Sequence, residues 1–569
     1  MASEQEPRIV RFPQGACLSR SDLALGLGLF VLAVAVFANS LGHGFVWDDL
    51  PVILKNRFLT EPGAWWRCFG RDFGLEITRH PVGYYRPLVF LSFVLNHAAA
   101  GLRPFAYHLT NVVLHGLITV LVFRLIGRLA GRRIGALAAA LFAVHPVHAE
   151  SVAFVAGRSD LLCAFFLLLS LLATIRSFEA RHGARAIWLG AGLLAYTAAL
   201  LSKEMAIVLP GVLIAYGLIH GYRMKTLLRL CGPATVLVLV YLGFRFCFFP
   251  MAGLRRAGAL FESGFVERAA RLLFLYAAQQ VFPVVPTLGA KILMRRPWVD
   301  VTAVALLILL IAAAQPRRRA ADAVAWLLLF LAPTLWVNWL KGIEPSDRFA
   351  YVPSIGVCAL AAMVAARYWE RAPVSRLAVA VVAVVFTVFS FLFSRMWHNP
   401  ATFWSASLAY HPQCGYSCYN LGYVYWKAGD HATALSLFRK ATQLLDETDA
   451  PELWTRANLA EILAEAGEVD LAIENCRRGL KIQPGHTSLR QFLAALLSNQ
   501  GRHDEAIAQL EMALKFAPND GEICLDLARE HLATQPPQVD RARQMYRRAR
   551  ELRAPPDQVI EAAIRKNER

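Results

Sequence analysis

The stretch SDLALGLGLFVLAVAVFANSL, residues 21–41, indicates the fold class because Asp22 is its only charged residue. A helix needs roughly 17 to 25 mainly apolar residues to cross the hydrocarbon core of a bilayer. Similar runs recur as far as residue 394, and together they predict about eleven spans of that length. The spans are expected near 21–41, 106–127, 134–156, 159–176, 186–202, 204–220, 228–249, 297–315, 321–340, 348–366 and 374–394.

The composition agrees with a polytopic membrane protein. Of the 569 residues, 56% are hydrophobic and 18% are charged, and the mean hydropathy is +0.42. The apolar runs stop near residue 405, where polar, helix-forming sequence begins. The predicted fold is therefore all-α: a cytoplasmic N-terminus at 1–20, a membrane helix bundle at 21–400 with an outer loop at 42–105, and a soluble helical domain at 401–569.

The distribution of positive charge predicts the topology. Short cytoplasmic loops are enriched in Lys and Arg, and the arginine groups near 124–133, 176–185, 317–319 and 367–376 all fall on one side if the stretch 271–290 does not cross. We interpret that proline-interrupted stretch as re-entrant or interfacial. The soluble domain is then expected on the non-cytoplasmic face.

The net charge of +18 is explained by the loops of a membrane protein. Much of the excess lies in short loops between predicted spans, where it sets orientation and meets anionic head groups. No nucleic-acid-binding motif accompanies it. We therefore expect membrane lipid as a partner and no nucleic acid.

The soluble domain contains an internal repeat. The stretches NLGYVYWKAGDHATAL, NLAEILAEAGEVDLAI and FLAALLSNQGRHDEAI align without gaps, and Gly467 follows Gly429 by 38 residues and precedes Gly501 by 34. Each stretch has the tetratricopeptide pattern of a helix, a turn at glycine and a second helix whose alanine permits close packing. Such arrays form a groove that holds peptides or partner proteins, although a passive spacer remains an alternative.

Polar motifs gather in the segments predicted to reach the non-cytoplasmic face. Ionisable residues at or within a bilayer are costly and usually mark a functional site. The candidates are Asp48, Asp49, Arg86, His145, His148, Glu150, Arg158, Asp160, Lys203, Glu204, Asp347 and Arg348.

Several candidates have simpler interpretations. His145, His148 and Glu150 suggest a metal site, but the spacing differs from that of zinc proteases and no third ligand is specified. Asp48 and Asp49 are also typical helix-capping residues. Arg158 with Asp160, and Lys203 with Glu204, are alternatively loop ion pairs of small energetic value.

The ordered set of motifs resembles one protein family. The motifs are F-x-x-D-D at 45–49, Y-R-P at 85–87, H-L-x-N-x-x-L-H at 108–115, H-P-x-H-x-E at 145–150, G-R-x-D at 157–160, S-K-E at 202–204 and D-R-F-x-Y-x-P-S at 347–354. With the repeats they resemble the transmembrane and tetratricopeptide-repeat O-mannosyltransferases and their bacterial relatives, of the GT-C class. Two features depart from the family pattern: Asp347 stands where Glu is more frequent, and the loop before 297 is shorter than in animal members.

The resemblance implies roles for the candidate residues. In GT-C enzymes an acidic residue of the first outer loop is the general base, a role that Asp48 or Asp49 fits, with Asp49 preferred. Cations must stabilise the lipid phosphate that leaves, and the candidates are Arg86, Arg158, Lys203 and Arg348. Arg348 is preferred because Tyr351, close to it in the sequence, adds a hydroxyl donor. His145, His148, Glu150, Asp160 and Glu204 are expected to support them.

The leading hypothesis is an integral-membrane glycosyltransferase that moves a hexose, with mannose expected, from a polyprenyl-phosphate donor to hydroxyls of a non-cytoplasmic protein. The lipid-linked sugar is then a co-substrate, a divalent cation is optional, and the repeats bind the acceptor protein. The expected location is a bacterial inner membrane with periplasmic repeats, or the endoplasmic reticulum with luminal repeats in a eukaryote. The alternative is a non-catalytic membrane scaffold whose repeats recruit partners; a transporter is disfavoured because the polar motifs gather at one face.

Overall fold

The computed structural model describes residues 19–73, 83–249, 265–281, 283, 286, 297–341, 346–370, 372–445 and 450–566. Within these ranges the chain forms helices and irregular segments, and no strand occurs. The chain divides into two compact units, Met1–Ala406 and Ser407–Arg569. The predicted all-α fold class is confirmed.

The first unit consists of helices of very different lengths. They are α1 (Arg20–Phe37), α2 (Ala64–Arg67), α3 (Pro87–Ala100), α4 (Pro104–Ala130), α5 (Arg132–Ala143), α6 (Ala149–Ala153), α7 (Arg158–Glu179), α8 (His182–Leu200), α9 (Leu209–Ile219), α10 (Met224–Phe248), α11 (Phe265–Val281), α12 (Pro297–Ala313), α13 (Arg317–Lys341), α14 (Ser354–Tyr368) and α15 (Pro373–Arg395), and α16 (Pro400–Tyr410) follows at the boundary between the units.

The first helix shows how local sequence starts an element. Ser19 caps α1, because its hydroxyl accepts a hydrogen bond from the backbone N–H of Asp22 while the Asp22 carboxylate returns to the Ser19 backbone. This capping box satisfies two N–H groups that have no partner within the helix. Farther along, Gly116 lets α4 approach α1, since a Cβ there would lie 2.7 Å from the Phe30 ring.

Six helical segments of the described chain are long and apolar enough to cross a membrane. They are Arg20–Gly42, Pro104–Ala130, Val155–Glu179, Gly183–Leu200, Met224–Phe248 and Pro373–Arg395. The predicted span 134–156 is bent by 54° between Arg132–Ala143 and Pro146–Ala153, since proline ends a helix that precedes it. Three other predicted spans correspond to shorter apolar helices, Glu204–Ile219, Val301–Ala313 and Ser354–Tyr368, so the count of eleven stays a prediction.

Helix occurs in a stretch that was expected to belong to an outer loop and in the stretch that was expected to be re-entrant or interfacial. Residues 84–97 were expected in an outer loop, yet α3 begins at Pro87, a position where proline favours helix initiation because its missing N–H needs no partner. The stretch 271–290 begins within α11; its residues 282, 284–285 and 287–290 lie outside the described residues. Whether it crosses the membrane stays a prediction.

The second unit is the predicted repeat array. Its helices are α17 (Gly415–Lys427), α18 (His431–Leu444), α19 (Ala450–Glu465), α20 (Val469–Ile482), α21 (Thr487–Asn499), α22 (His503–Phe516), α23 (Gly521–Ala533), α24 (Val539–Glu551) and α25 (Gln558–Lys566). Glycines with positive φ, Gly429, Gly467 and Gly501, lie at the turns between paired helices. The alanines that follow, Ala434, Ala472 and Ala506, are completely buried between the helices. The repeat prediction is confirmed.

Candidate active site

The loop that carries the two aspartates is held by aromatic packing. Trp47 has φ 56°, a left-handed conformation that is unfavourable for a bulky residue. Its indole ring lies 5.9 Å from the ring of Phe154 and 5.7 Å from that of Phe403. Such strain, of order 1–3 kcal/mol, persists only where the surroundings impose it, and it clusters at functional sites.

Asp49 is the more buried aspartate, with 1% of its surface exposed. Its carboxylate accepts hydrogen bonds from the backbone N–H of Val46 at 3.2 Å and of Ala156 at 2.8 Å. Burial raises the pKa of Asp49 to about 8, while these backbone donors oppose the rise. Asp49 therefore fastens its loop to the segment between α6 and α7.

Asp48 is partly exposed. Burial raises its pKa; the positive charge of Arg348 opposes this rise and the negative charge of Glu150 adds to it. Asp48 thus has a charged environment, whereas Asp49 is tied to backbone. Partial exposure and nearby charges favour Asp48 over Asp49 as the group that meets a substrate, whereas the sequence analysis preferred Asp49.

Glu150 positions Arg348. Its carboxylate accepts from the guanidinium of Arg348 at 3.0 Å, from the backbone N–H of Arg348 at 3.2 Å and from the hydroxyl of Ser346 at 2.5 Å. The guanidinium of Arg348 lies 5.8 Å from the ring of Phe154. Because Phe154 also packs on Trp47, this ring connects Arg348 with the aspartate loop.

A second cluster contains a cation that the sequence analysis missed. Glu204 accepts two hydrogen bonds from Arg86, at 3.2 and 2.9 Å, and pairs with Arg245 at 3.2 Å. Arg245 is a buried residue near the C-terminal end of α10. Two guanidinium groups share one carboxylate, so the cluster carries a net positive charge.

Lys203 lies between the two clusters. Its ammonium group pairs with Asp160 at 2.5 Å and lies 4.8 Å from the ring of Phe349. Arg348 lies 5.5 Å from the same ring, and Glu204 is the next residue in the chain. Lys203 therefore connects the two clusters, through the ring of Phe349 on one side and through the chain on the other.

Tyr84 lies beside Arg86 and within electrostatic reach of the other cluster. Burial raises its pKa, and four charged side chains act on it electrostatically: Arg86, Glu204, Arg348 and Asp48. The Arg86 guanidinium lies 4.7 Å from the Tyr84 ring. Two carboxylates and two guanidinium groups thus act on one position. Cations placed there can stabilise the charge that develops on a departing phosphate.

Arg158, which was predicted to contact the donor phosphate, is surrounded by protein hydrogen-bond acceptors. It is completely buried, and its guanidinium donates to the side chains of Asn111 at 2.8 Å and Asn96 at 2.5 Å and to the carbonyl of Tyr107 at 2.8 Å. These contacts join α7 to α3 and α4. The geometry makes Arg158 a packing residue and does not support the predicted contact with phosphate.

Tyr351 and the two motif histidines form a buried group. The Tyr351 hydroxyl hydrogen-bonds with Nδ1 of His115 at 2.8 Å, and its ring lies 4.5 Å from that of His148. His148 Nε2 hydrogen-bonds with the Ser354 hydroxyl, and His145 Nε2 with the carbonyl of Gln280. The expected hydroxyl beside Arg348 is therefore engaged with His115 instead.

The same polar residues include the histidines and carboxylates that suggested a metal site. In the described part of the chain, no group of three or more His, Cys, Asp or Glu side chains is arranged to hold a metal ion. Glu150, the third member of the suspected metal motif, instead accepts from Arg348 and Ser346. A cation requirement stays an untested prediction.

Both units of the chain match profiles of known protein families. The profile described as dolichyl-phosphate-mannose-protein mannosyltransferase matches residues 80–244. Two tetratricopeptide-repeat profiles match residues 414–484 and 463–529. The mannosyltransferase match includes Arg86, Lys203 and Glu204 of the candidate site.

Curated relatives match part of the chain. Protein O-mannosyl-transferase TMTC2 of Mus musculus is 38% identical over 34% of this chain and 24% of its own length. Tmtc1 of Drosophila melanogaster is 40% identical over 35% of this chain and 23% of its own length, and TMTC4 of Homo sapiens is 36% identical over 32% and 27%. The matches thus span about a quarter of each relative.

Solved structures resemble a part of this chain. The MamA protein is 18% identical, with a TM-score of 0.23, over 27% of this chain and 80% of that protein. YrrB, described as a TPR protein with an unusual peptide-binding site, is 19% identical, with a TM-score of 0.24, over 30% and 82%. The mannosyltransferase profile, the repeats and the curated relatives together confirm that this chain resembles the transmembrane and tetratricopeptide-repeat O-mannosyltransferases.

Proposed function

We propose that this protein is an integral-membrane glycosyltransferase that transfers a hexose, with mannose as the expected sugar, from a polyprenyl-phosphate donor to hydroxyls of a non-cytoplasmic protein. The observation that carries the proposal is a pair of partly exposed guanidinium groups, Arg86 held by Glu204 and Arg348 held by Glu150. The charge of Arg348 also acts on Asp48. The matches to proteins named O-mannosyl-transferases support it.

Asp48 is the proposed general base. The acceptor hydroxyl oxygen attacks the anomeric carbon, its proton passes to Asp48, and the bond from that carbon to the phosphate oxygen breaks with its electron pair remaining on phosphate. A base is most effective when its pKa lies near the working pH. Burial moves the pKa of Asp48 in that direction, while Asp49 keeps the loop in place.

Arg86 and Arg348 are the proposed contacts to the departing phosphate. Their side chains are 15% and 20% exposed, so a ligand reaches them, whereas Lys203 is 4% exposed. Guanidinium groups bind phosphate through two parallel hydrogen bonds. Arg245 keeps the Arg86 cluster positive by sharing Glu204, and Lys203 remains a supporting charge beside Asp160. The prenyl tail lies between helices.

The repeats are proposed to hold the acceptor protein. Tetratricopeptide arrays offer a groove for peptides, and this assignment places them on the same face of the membrane as the candidate site. In a bacterium the repeats would then lie in the periplasm, and in a eukaryote they would lie in the lumen of the endoplasmic reticulum.

The proposal is tested by a panel of sugar donors. Purified full-length protein is incubated with polyprenyl-phosphate mannose, polyprenyl-phosphate glucose and a nucleotide-linked mannose, together with secreted proteins from the same organism as acceptors. We expect transfer from a polyprenyl-phosphate hexose and none from the nucleotide sugar. Absence of transfer from every lipid-linked sugar, by protein that is folded, would favour the scaffold alternative.

A further inference from the structure

A cavity of about 100 Å³ lies among α4, α7, α9, α13 and α14. Apolar side chains make most of its wall, including Leu171, Leu213, Trp326 and Met363. We call this space the distal cavity. Leu171 follows Asp160, the α7 residue that pairs with Lys203, by roughly 16 Å along the helix. The distal cavity therefore extends from the neighbourhood of the candidate active site towards the opposite ends of these helices.

Close helix packing defines one side of the distal cavity. Gly356 of α14 touches α13, since a Cβ at this position would lie 2.5 Å from the carbonyl oxygen of Ala323. Both residues line the cavity. The space is therefore bounded by helices that are already in direct contact and cannot close further against each other.

One end of the distal cavity is polar, and further arginines adjoin it. Arg319 and Asp322 of α13 belong to its lining. Asp322 pairs with His220 at 2.9 Å, so its negative charge has a partner on the segment after α9. Arg319 donates to the carbonyl of Ala130 at 2.9 Å, and the two preceding arginines, 317 and 318, are exposed.

The apolar wall of the distal cavity indicates what kind of molecule fills it. Water gains little there because it needs two to four polar partners, and an empty space loses the contacts between atoms that packing provides. A few methylene groups of a hydrocarbon chain from the bilayer fit a space of about 100 Å³ and supply those contacts. A lipid whose chain enters the distal cavity places its head group at the end that carries Arg319.

We propose that the distal cavity binds one anionic phospholipid, with part of one acyl chain among the apolar side chains and the phosphate on the arginines at the start of α13. Basic pockets between membrane helices are suited to anionic head groups. Guanidinium groups recognise phosphate in two-bond geometry. This lipid is a bound structural ligand, distinct from the sugar donor of the proposed reaction.

Lipid retention by purified full-length protein tests the proposal. The protein is exchanged into detergent that contains equal amounts of phosphatidylglycerol and phosphatidylcholine, and retained lipid is counted by native mass spectrometry. We expect one retained phosphatidylglycerol and about tenfold less phosphatidylcholine, the ratio for roughly 1.4 kcal/mol of charge-assisted hydrogen bonding. Equal retention of the two lipids would overturn the proposal.

Three variants locate the site. Ala325→Phe places a ring in the cavity, Arg319→Gln removes the cation, and Arg185→Gln changes an exposed arginine of α8 as a matched control. The first two should lower phosphatidylglycerol retention about tenfold, and the control should not. Unchanged retention in Arg319→Gln refutes the head-group site even if Ala325→Phe fails to fold. None of these residues belongs to the candidate active site, so sugar transfer is a separate readout.

Discussion

Replacing Glu150 with Gln should lower the rate of sugar transfer much more than the change in shape suggests. Glu150 accepts three hydrogen bonds, two of them from Arg348, and an amide can accept at only one of its two terminal atoms. A hydrogen bond that involves a charged group contributes about 1.5–3 kcal/mol. Because Arg348 is 20% exposed, water offsets part of this loss, and we expect about 2 kcal/mol.

A loss of about 2 kcal/mol corresponds to roughly a 30-fold decrease in kcat/KM, since each 1.36 kcal/mol is a factor of ten. The assay is steady-state transfer with saturating acceptor, accompanied by thermal unfolding of the same preparation. The matched control is Glu179→Gln, which breaks an ion pair with Arg128 at the far end of α7. If both variants lose the same stability and both transfer sugar normally, Glu150 does not position a catalytic cation.

Three further predictions concern Asp49, Arg245 and Arg158. Because the folded pKa of Asp49 is about 8 and its ordinary value is 3.8, the folded form holds a proton that the unfolded form releases, so stability should fall as pH rises from about 4 to about 8. In thermal unfolding over that window Asp49→Asn should show a shallower slope, and an identical slope would contradict the assignment. Arg245→Gln leaves Arg86 fully neutralised by Glu204, so KM for the lipid donor should rise about tenfold; unchanged donor kinetics would exclude it from the phosphate site. Arg158→Met should lower the melting temperature, while the protein that remains folded still transfers sugar. A loss of transfer without a loss of stability would show instead that Arg158 contacts the phosphate, as the sequence analysis predicted.

The repeat unit was predictable because its period is local. Gly at each turn and Ala at the close contact are fixed by neighbouring residues, and their spacing recurs. The membrane helices were predictable as apolar runs for the same reason. The bend between α5 and the segment after Pro146 was not expected, since hydropathy counts residues without regard to helix direction.

The sequence predicted most residues of the candidate site, but not their contacts. Arg245 was missed because it stands inside an apolar run, and only its contact with Glu204 reveals it. Asp48 and Asp49 are adjacent residues of the same type, so the sequence cannot assign them different roles. The structure distinguishes them because the Asp49 carboxylate accepts hydrogen bonds from two backbone N–H groups. Tyr351 was assigned from its closeness in sequence to Arg348, whereas its hydroxyl hydrogen-bonds with His115.

The assignment of Asp48 as the base is tested most directly by single-turnover sugar transfer with Asp48→Asn. Asparagine keeps the size of the side chain and removes its basicity, and loss of a positioned base costs roughly 100- to 10,000-fold in rate. The account predicts a loss in this range for Asp48→Asn with unchanged thermal unfolding, whereas Asp49→Asn should alter unfolding and leave the rate of the folded fraction within a few-fold. A folded Asp48→Asn variant that transfers sugar at the wild-type rate would contradict the account.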